Sequence, residues 1–453
     1  MQIGDNVENL IIQLSRYILI ILLTIYTIYC FTVFRNADKD RQKRIYRKQR
    51  TLMFLIHFVA HGLLYLNTKE MQLIILYLIE LVFFILVSKI YRLVYKNLSN
   101  LVLNNMLMLN AISFTMLARL NIAYAKRQLF MTAVGFLVCL VVPFVIEKFK
   151  YLEYLGWFYA CIGIILLLFV FIPGIGVEKY GSLNWIQIGG FVLQPSEFAK
   201  IIFVFFVAAL LSKKTQFRDV VFISVFAAAY VLVLVAEKDL GGALLFFITY
   251  LSILYVATQN PVYLISGIAG ISLAATVAYK LFSHVRVRFD AWRDPWSDIN
   301  DGGYQICSSL FAIGTGSWFG MGLGKGLPTS IPVEESDFIF SAISEEFGGI
   351  FALCMVMIYI SCFIMFVNIA MKMKNQFYKL TAFGLSVIFI FQVFLNIGGV
   401  TKFIPSTGVT LPLVSYGGSS ILSVIVMFSI IQGMYVLNQE GRKRQDEAIG
   451  REE

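Results

Sequence analysis

A chain in which apolar runs of bilayer-spanning length follow one another almost without interruption has few folds open to it. A hydrocarbon core of about 30 Å takes about 20 helical residues to cross, and inside it every backbone amide must find its partner within the protein. About thirteen such runs can be laid along the 453 residues. Hydrophobic residues make up 59% of the chain and charged residues 14%, with a mean hydropathy of +0.78. A soluble domain carries roughly 25% charged residues. The expected fold is all-α, a polytopic transmembrane helical bundle, and an ordinary soluble domain is excluded.

Lysine and arginine set the expected orientation. The connector RNADKDRQKRIYRKQR, from Arg35 to Arg50, holds eight basic residues, and a block that basic stays in the cytoplasm. The span before it, Leu10 to Phe34, then runs inward from an external N-terminus. It is too long for a signal peptide and lacks a basic leader and a small-residue cleavage site. Alternation puts Lys89, Arg92 and Lys96 inside, followed by Lys148 and Lys150, by Lys213, Lys214 and Arg218, by Lys372, Lys374 and Lys379, and by an inner C-terminus with Arg442, Lys443 and Arg444. The long polar segment Ser283 to Phe340 falls outside. The net charge of +10 therefore reads as topological signal and attraction to anionic lipid, with no support for nucleic-acid binding.

Three regions are expected: residues 1–104 with three spans, residues 105–437 with ten, and a polar cytoplasmic tail, 438–453, read as disordered. In the first, Arg16 lies near the outer end of its helix and reads as a snorkelling side chain. Six cysteines without Cys-x-x-Cys spacing read as small core residues. His57 and His61 share a helix face, but a metal takes three or four ligands and no third is adjacent in sequence.

Polar punctuation in the second region falls on the external side, so a site there faces outward. In FIPSTGVTLPLVSYGGSS, Pro405, Gly408, Pro412, Gly417 and Gly418 break a helix at membrane depth, which is tolerated where protein or a water-filled cavity satisfies the freed amides. Amides near Ser415, Tyr416 and Gly417 are candidates to receive a pyrophosphate, against a re-entrant turn that only packs. In the long segment, Asp290, Asp294, Asp298 and Asp301 accompany Arg286, Arg288 and Arg293, either as surface ion pairs or as a carboxylate able to take a hydroxyl proton or hold a divalent cation. Glu197 and Lys200, three apart, share a helix face within a span, as a structural pair or as site lining. Asp337, Glu345 and Glu346 flank the start of another span, where acids favour a helix N-terminus.

The blocks GSLNWIQIGGFVLQPSEFAK, DLGGALL, RFDAWRDPWSDINDGGYQ, AIGTGSWFGMGLG, SDFIFSAISEEFG and TLPLVSYGGSS, in this order, resemble the FtsW/RodA/SpoVE (SEDS) family of cell-wall polymerases over about Asn105 to Leu437. The resemblance implies a ten-helix core with a large extracellular loop before its eighth helix, preceded here by three extra spans. It also implies a peptidoglycan glycosyltransferase that polymerises lipid II on the outer face of the membrane, in elongation, division or sporulation, beside a class B penicillin-binding protein. The residue matching the family's essential aspartate is Asp298, in DPWSDINDGGYQ. As general base it would activate the 4-hydroxyl of the incoming sugar for inverting attack on the anomeric carbon of the growing chain. Arg127, Lys200, Arg286 and Arg288 are candidate cations for the departing diphosphate. Mg²⁺ or Mn²⁺ is a possible addition with Asp298 as a ligand. Glu197, Tyr304, Gln305, Asp337, Glu345, Ser415, Tyr416, Gly417 and Gly418 complete the candidate substrate-binding set. Five departures stand out: Asn184 where an arginine is frequent, Lys238 and Ile299 where proline is usual, Val333 where a glutamate is usual, and Glu335 where a histidine is usual. A flippase for lipid-linked precursor would need polar residues spread to both sides. A weakly active scaffold that recruits the penicillin-binding protein is the other alternative.

Overall fold

The computed structural model describes residues 2–36, 38–179, 181–189 and 191–449. The helices are α1 (Gln2–Arg35), α2 (Lys39–Thr68), α3 (Met71–Val94), α4 (Asn100–Leu120), α5 (Ile122–Cys139), α6 (Val142–Lys148) and α7 (Gly156–Leu168). A small sheet follows, β1 (Gly176–Lys179), β2 (Ser182–Ile188) and β3 (Phe191–Leu193). The chain then forms α8 (Pro195–Leu211), α9 (Phe217–Ala236), α10 (Leu240–Thr258), α11 (Pro261–Leu281), α12 (Ser283–Arg293), α13 (Tyr304–Gly316), α14 (Ile339–Phe347), α15 (Gly349–Lys372), α16 (Gln376–Val400) and α17 (Gly418–Ile449).

This is an all-α polytopic membrane protein. Among the described residues, eleven helical segments are long and apolar enough to cross a bilayer, α5 and α6 counting as one. Thirteen were expected; α7 and α8 are shorter than these eleven. Short polar residues punctuate them: Asp38, Ser99, Asn121, Asp239, Asn260 and Asn375 each accept a first-turn backbone amide at the start of a helix. Small residues let helices close on one another where lipid supplies no hydrophobic drive. A Cβ at Gly384 of α16 would stand 2.6 Å from Ile253 Cδ1 of α10 and 2.8 Å from Val204 Cγ1 of α8.

The central helix is α4, whose spanning window is buried throughout, whereas α11 has no buried residue and lies on the lipid side. Connections 68–71, 120–122, 171–195, 236–240, 281–349 and 400–418 gather at one end of the bundle, called here the loop end. Asn67 Nδ2 donates to Leu323 O, Arg119 pairs with Glu346, Ser182 Oγ donates to Lys238 O, and Trp292 Nε1 donates to Lys402 O. Basic connectors meet at the other end, where Arg92 bonds Asn100 and Asn104, and Asn438 bonds Lys372 O.

Four details differ from the reading of the sequence. Residues 176–193 form an antiparallel sheet in the order β1-β2-β3, with Val177 opposite Trp185. Its turns use the left-handed backbone of Gly181 and Gly189, φ 78° and 54°. Much of Ser283 to Phe340 is helical, because VRVRFDAWR and YQICSSLFAIG each present an apolar side to the bundle. The polar tail continues α17 as far as Ile449, since Glu, Arg, Lys, Gln and Ala prolong a helix already nucleated in the membrane. Residues 450–453 lie outside the described residues. The boundary at 104/105 falls inside α4, which starts behind its Ser99 cap.

Candidate active site

Polar side chains from distant parts of the sequence meet at the loop end. Pro195 opens α8, and Glu197 and Lys200, about one helical turn apart, point the same way. The buried Lys200 Nζ donates to Glu197 Oε2 at 2.6 Å and to Gln392 Oε1 of α16 at 2.9 Å, while Ser423 Oγ of α17 donates to the same Glu197 oxygen at 2.5 Å. An ion pair at this depth persists only when such partners replace water. Asp239 caps α10 by accepting the Gly242 amide at 2.8 Å through Oδ1, and its Oδ2 accepts from Asn184 at 3.3 Å and from Gln194 at 3.5 Å.

Two further charges lie beside Gly408, which is at φ 72°. A Cβ there would lie 3.6 Å from Arg288 Nη2 and 3.6 Å from Asp337 Oδ2. Burial pushes the Asp337 carboxyl up to about 6, although the Ser336 hydroxyl and Arg288 both favour its anion. Asp239 is also raised, by burial first, with Arg288 again opposing. Glu237 beside it is pushed up to about 9 by burial and then by Asp239. The cleft thus holds one internally paired cation, Lys200, and one exposed cation, Arg288, among carboxyls whose proton affinities are raised toward neutrality.

Asp298 ends a 3-10 turn, Pro295–Asp298, that follows α12. Its exposed carboxylate accepts the Gly302 amide at 3.0 Å, and its carbonyl accepts the Gly303 amide at 2.8 Å. The loop therefore curls around this aspartate. No residue larger than glycine fits at Gly303, where a Cβ would lie 2.1 Å from the Pro295 carbonyl oxygen. Among the described residues no hydrogen bond or salt bridge joins Asp298 to the cleft, and none links Asp290, Asp294, Asp298 or Asp301 to an arginine. Asp294 instead caps its own turn, accepting the Trp296 amide at 3.2 Å.

The other candidates separate into groups. Arg286 turns back to Lys280 O at 3.2 Å and lies over Tyr279, away from Arg288. Arg127 is exposed on α5, one residue before the buried Gln128. Tyr304 donates its hydroxyl to Ser330 O at 3.3 Å, and Gln305 is exposed beside it. Glu345 accepts the Leu327 amide at 2.9 Å, and Glu346 accepts the Gly324 amide at 3.1 Å, so both hold the glycine-rich passage in place. The amides of residues 415–417 are already engaged: Ser415 N donates to Leu411 O, Tyr416 N to Glu335 O, and Gly417 N to Gln128 Oε1 at 3.3 Å. That segment packs as a re-entrant turn instead of presenting free donors. Gly418 starts α17 against Met131, whose Cε would lie 3.0 Å from a Cβ there. Asn184, in place of a charged arginine, supports Asp239, and Ile299 adopts φ −63°, the value a proline ring would impose. Arg16 donates to Gly320 O at 3.2 Å and to the Tyr17 hydroxyl at 2.8 Å, and so holds the glycine-rich passage.

The family profile for the FtsW/RodA/SpoVE cell cycle proteins matches residues 91–439. The chain belongs to the FtsW/RodA/SpoVE family. It is 35% identical over 353 residues to the peptidoglycan glycosyltransferase RodA of Mycobacterium leprae, covering 72% of this chain and 75% of that one. It is 32% identical over 325 residues to the stage V sporulation protein E of Bacillus subtilis, covering 68% and 86%. The fold is that of Thermus thermophilus rod shape determining protein RodA, with a TM-score of 0.55 at 22% identity over 75% of this chain and 96% of that one. A chain from a structure describing the coordination of polymerization and crosslinking by a peptidoglycan synthase complex superposes with a TM-score of 0.64 at 22% identity, covering 76% and 98%. The family match starts near the end of α3, so α1, α2 and most of α3 lie outside it, and the whole polar cleft lies within the matched region.

Asp239, Gln194 and Gln392 belong to the cleft yet were not among the candidates read from the sequence. The signals were present: an aspartate directly before LGGALL, which suits an N-cap, and a glutamine deep in the apolar run of α16.

Proposed function

We propose that this chain is a peptidoglycan glycosyltransferase that polymerises lipid II at the loop end of its bundle, on the outer face of the cytoplasmic membrane. The observation that carries the reading is an exposed Arg288 facing a raised-pKa carboxyl cleft, on the same short helix that leads to the exposed Asp298. Family membership supplies the reaction class. The basic connectors at the opposite end support a cytoplasmic assignment for that end, an external N-terminus and an internal C-terminus.

Asp298 acts as general base on the sugar 4-hydroxyl. Its exposure keeps the carboxylate solvated and available, and the Gly302 amide fixes one oxygen so that the other is oriented. Arg288 meets the leaving diphosphate, because Lys200 is committed to Glu197 and Gln392. Lys200 is then a positioning group that keeps α8 and α16 in register. Mg²⁺ or Mn²⁺, if required, would take Asp298 as its protein oxygen ligand and complete its shell with phosphate oxygens and water. Crosslinking of the product belongs to a class B penicillin-binding protein bound beside the chain.

The test is incubation of the purified chain, with a candidate penicillin-binding protein and divalent cation, with labelled lipid II. Glycan strands from the wild type and a loss of at least about 100-fold in Asp298→Asn, the size of a general-base contribution, are expected. Arg288→Ala should slow the same reaction while lipid II still binds. Absence of strands from the wild type with the partner bound would favour the scaffold. Transbilayer movement of the precursor in vesicles, without polymerisation, would favour the flippase.

A further inference from the structure

The N-terminal helices contain a cluster that the polymerase reaction does not use. His57 and His61 lie one turn apart on α2, and Glu80 of α3 faces both, so the third group absent from the local sequence arrives from the next helix. One donor atom from each of the three side chains falls within 4.8 Å of the other two, and all three residues are buried. Among the described residues no other group of three or more histidine, cysteine, aspartate or glutamate donors converges in this way.

Hydrogen bonding decides what the cluster is suited to hold. His61 Nδ1 lies 3.2 Å from the carbonyl of His57, which can only accept, so Nδ1 carries the proton and Nε2 is left to face Glu80. That Nε2 stands 3.1 Å from Glu80 Oε2. Three donor side chains thus converge on one point in a dry interior, an arrangement that a cation among them would satisfy. The same Oε2 also takes the 2.7 Å contact from His57 Nε2, while Glu80 Oε1 is buried with no partner.

We infer that His57, His61 and Glu80 bind one divalent transition-metal ion of the zinc class between α2 and α3. Two imidazoles and a carboxylate form a ligand set that zinc accepts, whereas Mg²⁺ and Ca²⁺ prefer oxygen shells. Bonds of about 2.0–2.2 Å in a tetrahedron place ligand atoms about 3.3–3.6 Å apart, so side-chain adjustments alone suffice from the present separations. The His61 to His57 carbonyl bond is the outer contact that fixes a ligand's tautomer. Coordination through both carboxylate oxygens gives Oε1 its partner. Tyr77, half-buried, covers the imidazoles with ring centroids at 5.1 and 5.6 Å. An ion here clamps α2 to α3.

The full chain, purified in detergent and dialysed against Zn²⁺ or Co²⁺, is assayed for bound metal by mass spectrometry and for Co²⁺ ligand-field absorption. One equivalent per chain is expected, with the intense visible bands of a four-coordinate site and a higher melting temperature in Zn²⁺. Outer-shell contacts alone are worth about 10–100-fold in affinity, so His61→Ala and Glu80→Gln should lose more than that. Wild-type chain that holds no stoichiometric metal and shows no Co²⁺ bands would overturn the site and leave a proton-shared triad. Equal metal content in both variants would overturn it as well. The wild-type spectrum keeps the test decisive even if a variant fails to fold.

Discussion

At the scale of single residues, Val333 is held at φ 60°, a left-handed conformation that a β-branched side chain adopts only under strain. Its carbonyl accepts the amides of Ser336 and Phe338 and so starts the turn that delivers Asp337. Val333→Gly should therefore raise thermal stability by about 1 kcal/mol, the relief of strain outweighing glycine's extra freedom in the unfolded chain, as measured by unfolding in detergent. Asp337 gives a pH prediction with a definite sign. Its carboxyl is raised from 3.8 to about 6 by burial, so the folded state binds its proton more tightly than the unfolded state does. The resulting stabilisation is full below about pH 4 and is lost as pH rises through about 6. Relative to Asp337→Asn, the wild type should thus lose about 1–3 kcal/mol across that window. Glu197, Lys200, Arg288 and Asp337 were legible in the sequence because charge is conspicuous in an apolar chain. Asp239 and Gln392 were less so, since what makes them part of a site is a partner brought from elsewhere by the fold.

At the scale of elements, α14 was legible only as the start of a span, yet it organises the glycine-rich passage beside it. Met321 N and Gly322 N donate to the carbonyls of Glu345 and Glu346, and the side chains of the same two acids take Leu327 N and Gly324 N. Gly320 at φ 75° is pressed against this helix, where a Cβ would meet Glu346 O at 2.3 Å, so the run of glycines reflects close approach of two backbones. Arg119 of α4 completes the arrangement, donating to the fully buried Glu346 at 2.8 Å and to Gly326 O at 3.1 Å. Arg119→Leu should destabilise by about 3–5 kcal/mol, because it strands a buried carboxylate. Adding Glu346→Gln should recover part of that loss by removing the stranded charge. A double-mutant cycle on melting temperature checks both statements, and additive effects would contradict them. The sheet at 176–193 and helices α12 and α13 escaped notice for a related reason: in a chain this apolar, short amphipathic stretches are masked by the spans around them.

At the scale of the whole molecule, the three N-terminal helices are built into the core through buried hydrogen bonds. Asn105 of α4 accepts from Tyr26 and Cys30 of α1 and donates to Ser361 of α15, and Asn104 donates to Tyr46 O and Gln49 of α2. Asparagine is costly against lipid when unpaired, so these residues need α1 and α2 in place. The N-terminal helices also reach the loop end, where Arg16 and Asn67 hold the Gly320 and Leu323 carbonyls. A chain beginning at residue 96 keeps the entire polar cleft but exposes α4 and releases two of the contacts that shape the glycine-rich passage. It should accumulate poorly in membranes and polymerise lipid II weakly. Co-expression with a fragment of residues 1–95 should restore both, because the bonds that join the two parts are interhelical and need no peptide link at the α3–α4 turn. Full abundance and activity of the truncated chain alone would mean instead that lipid or a partner covers α4 as well as its own helices do.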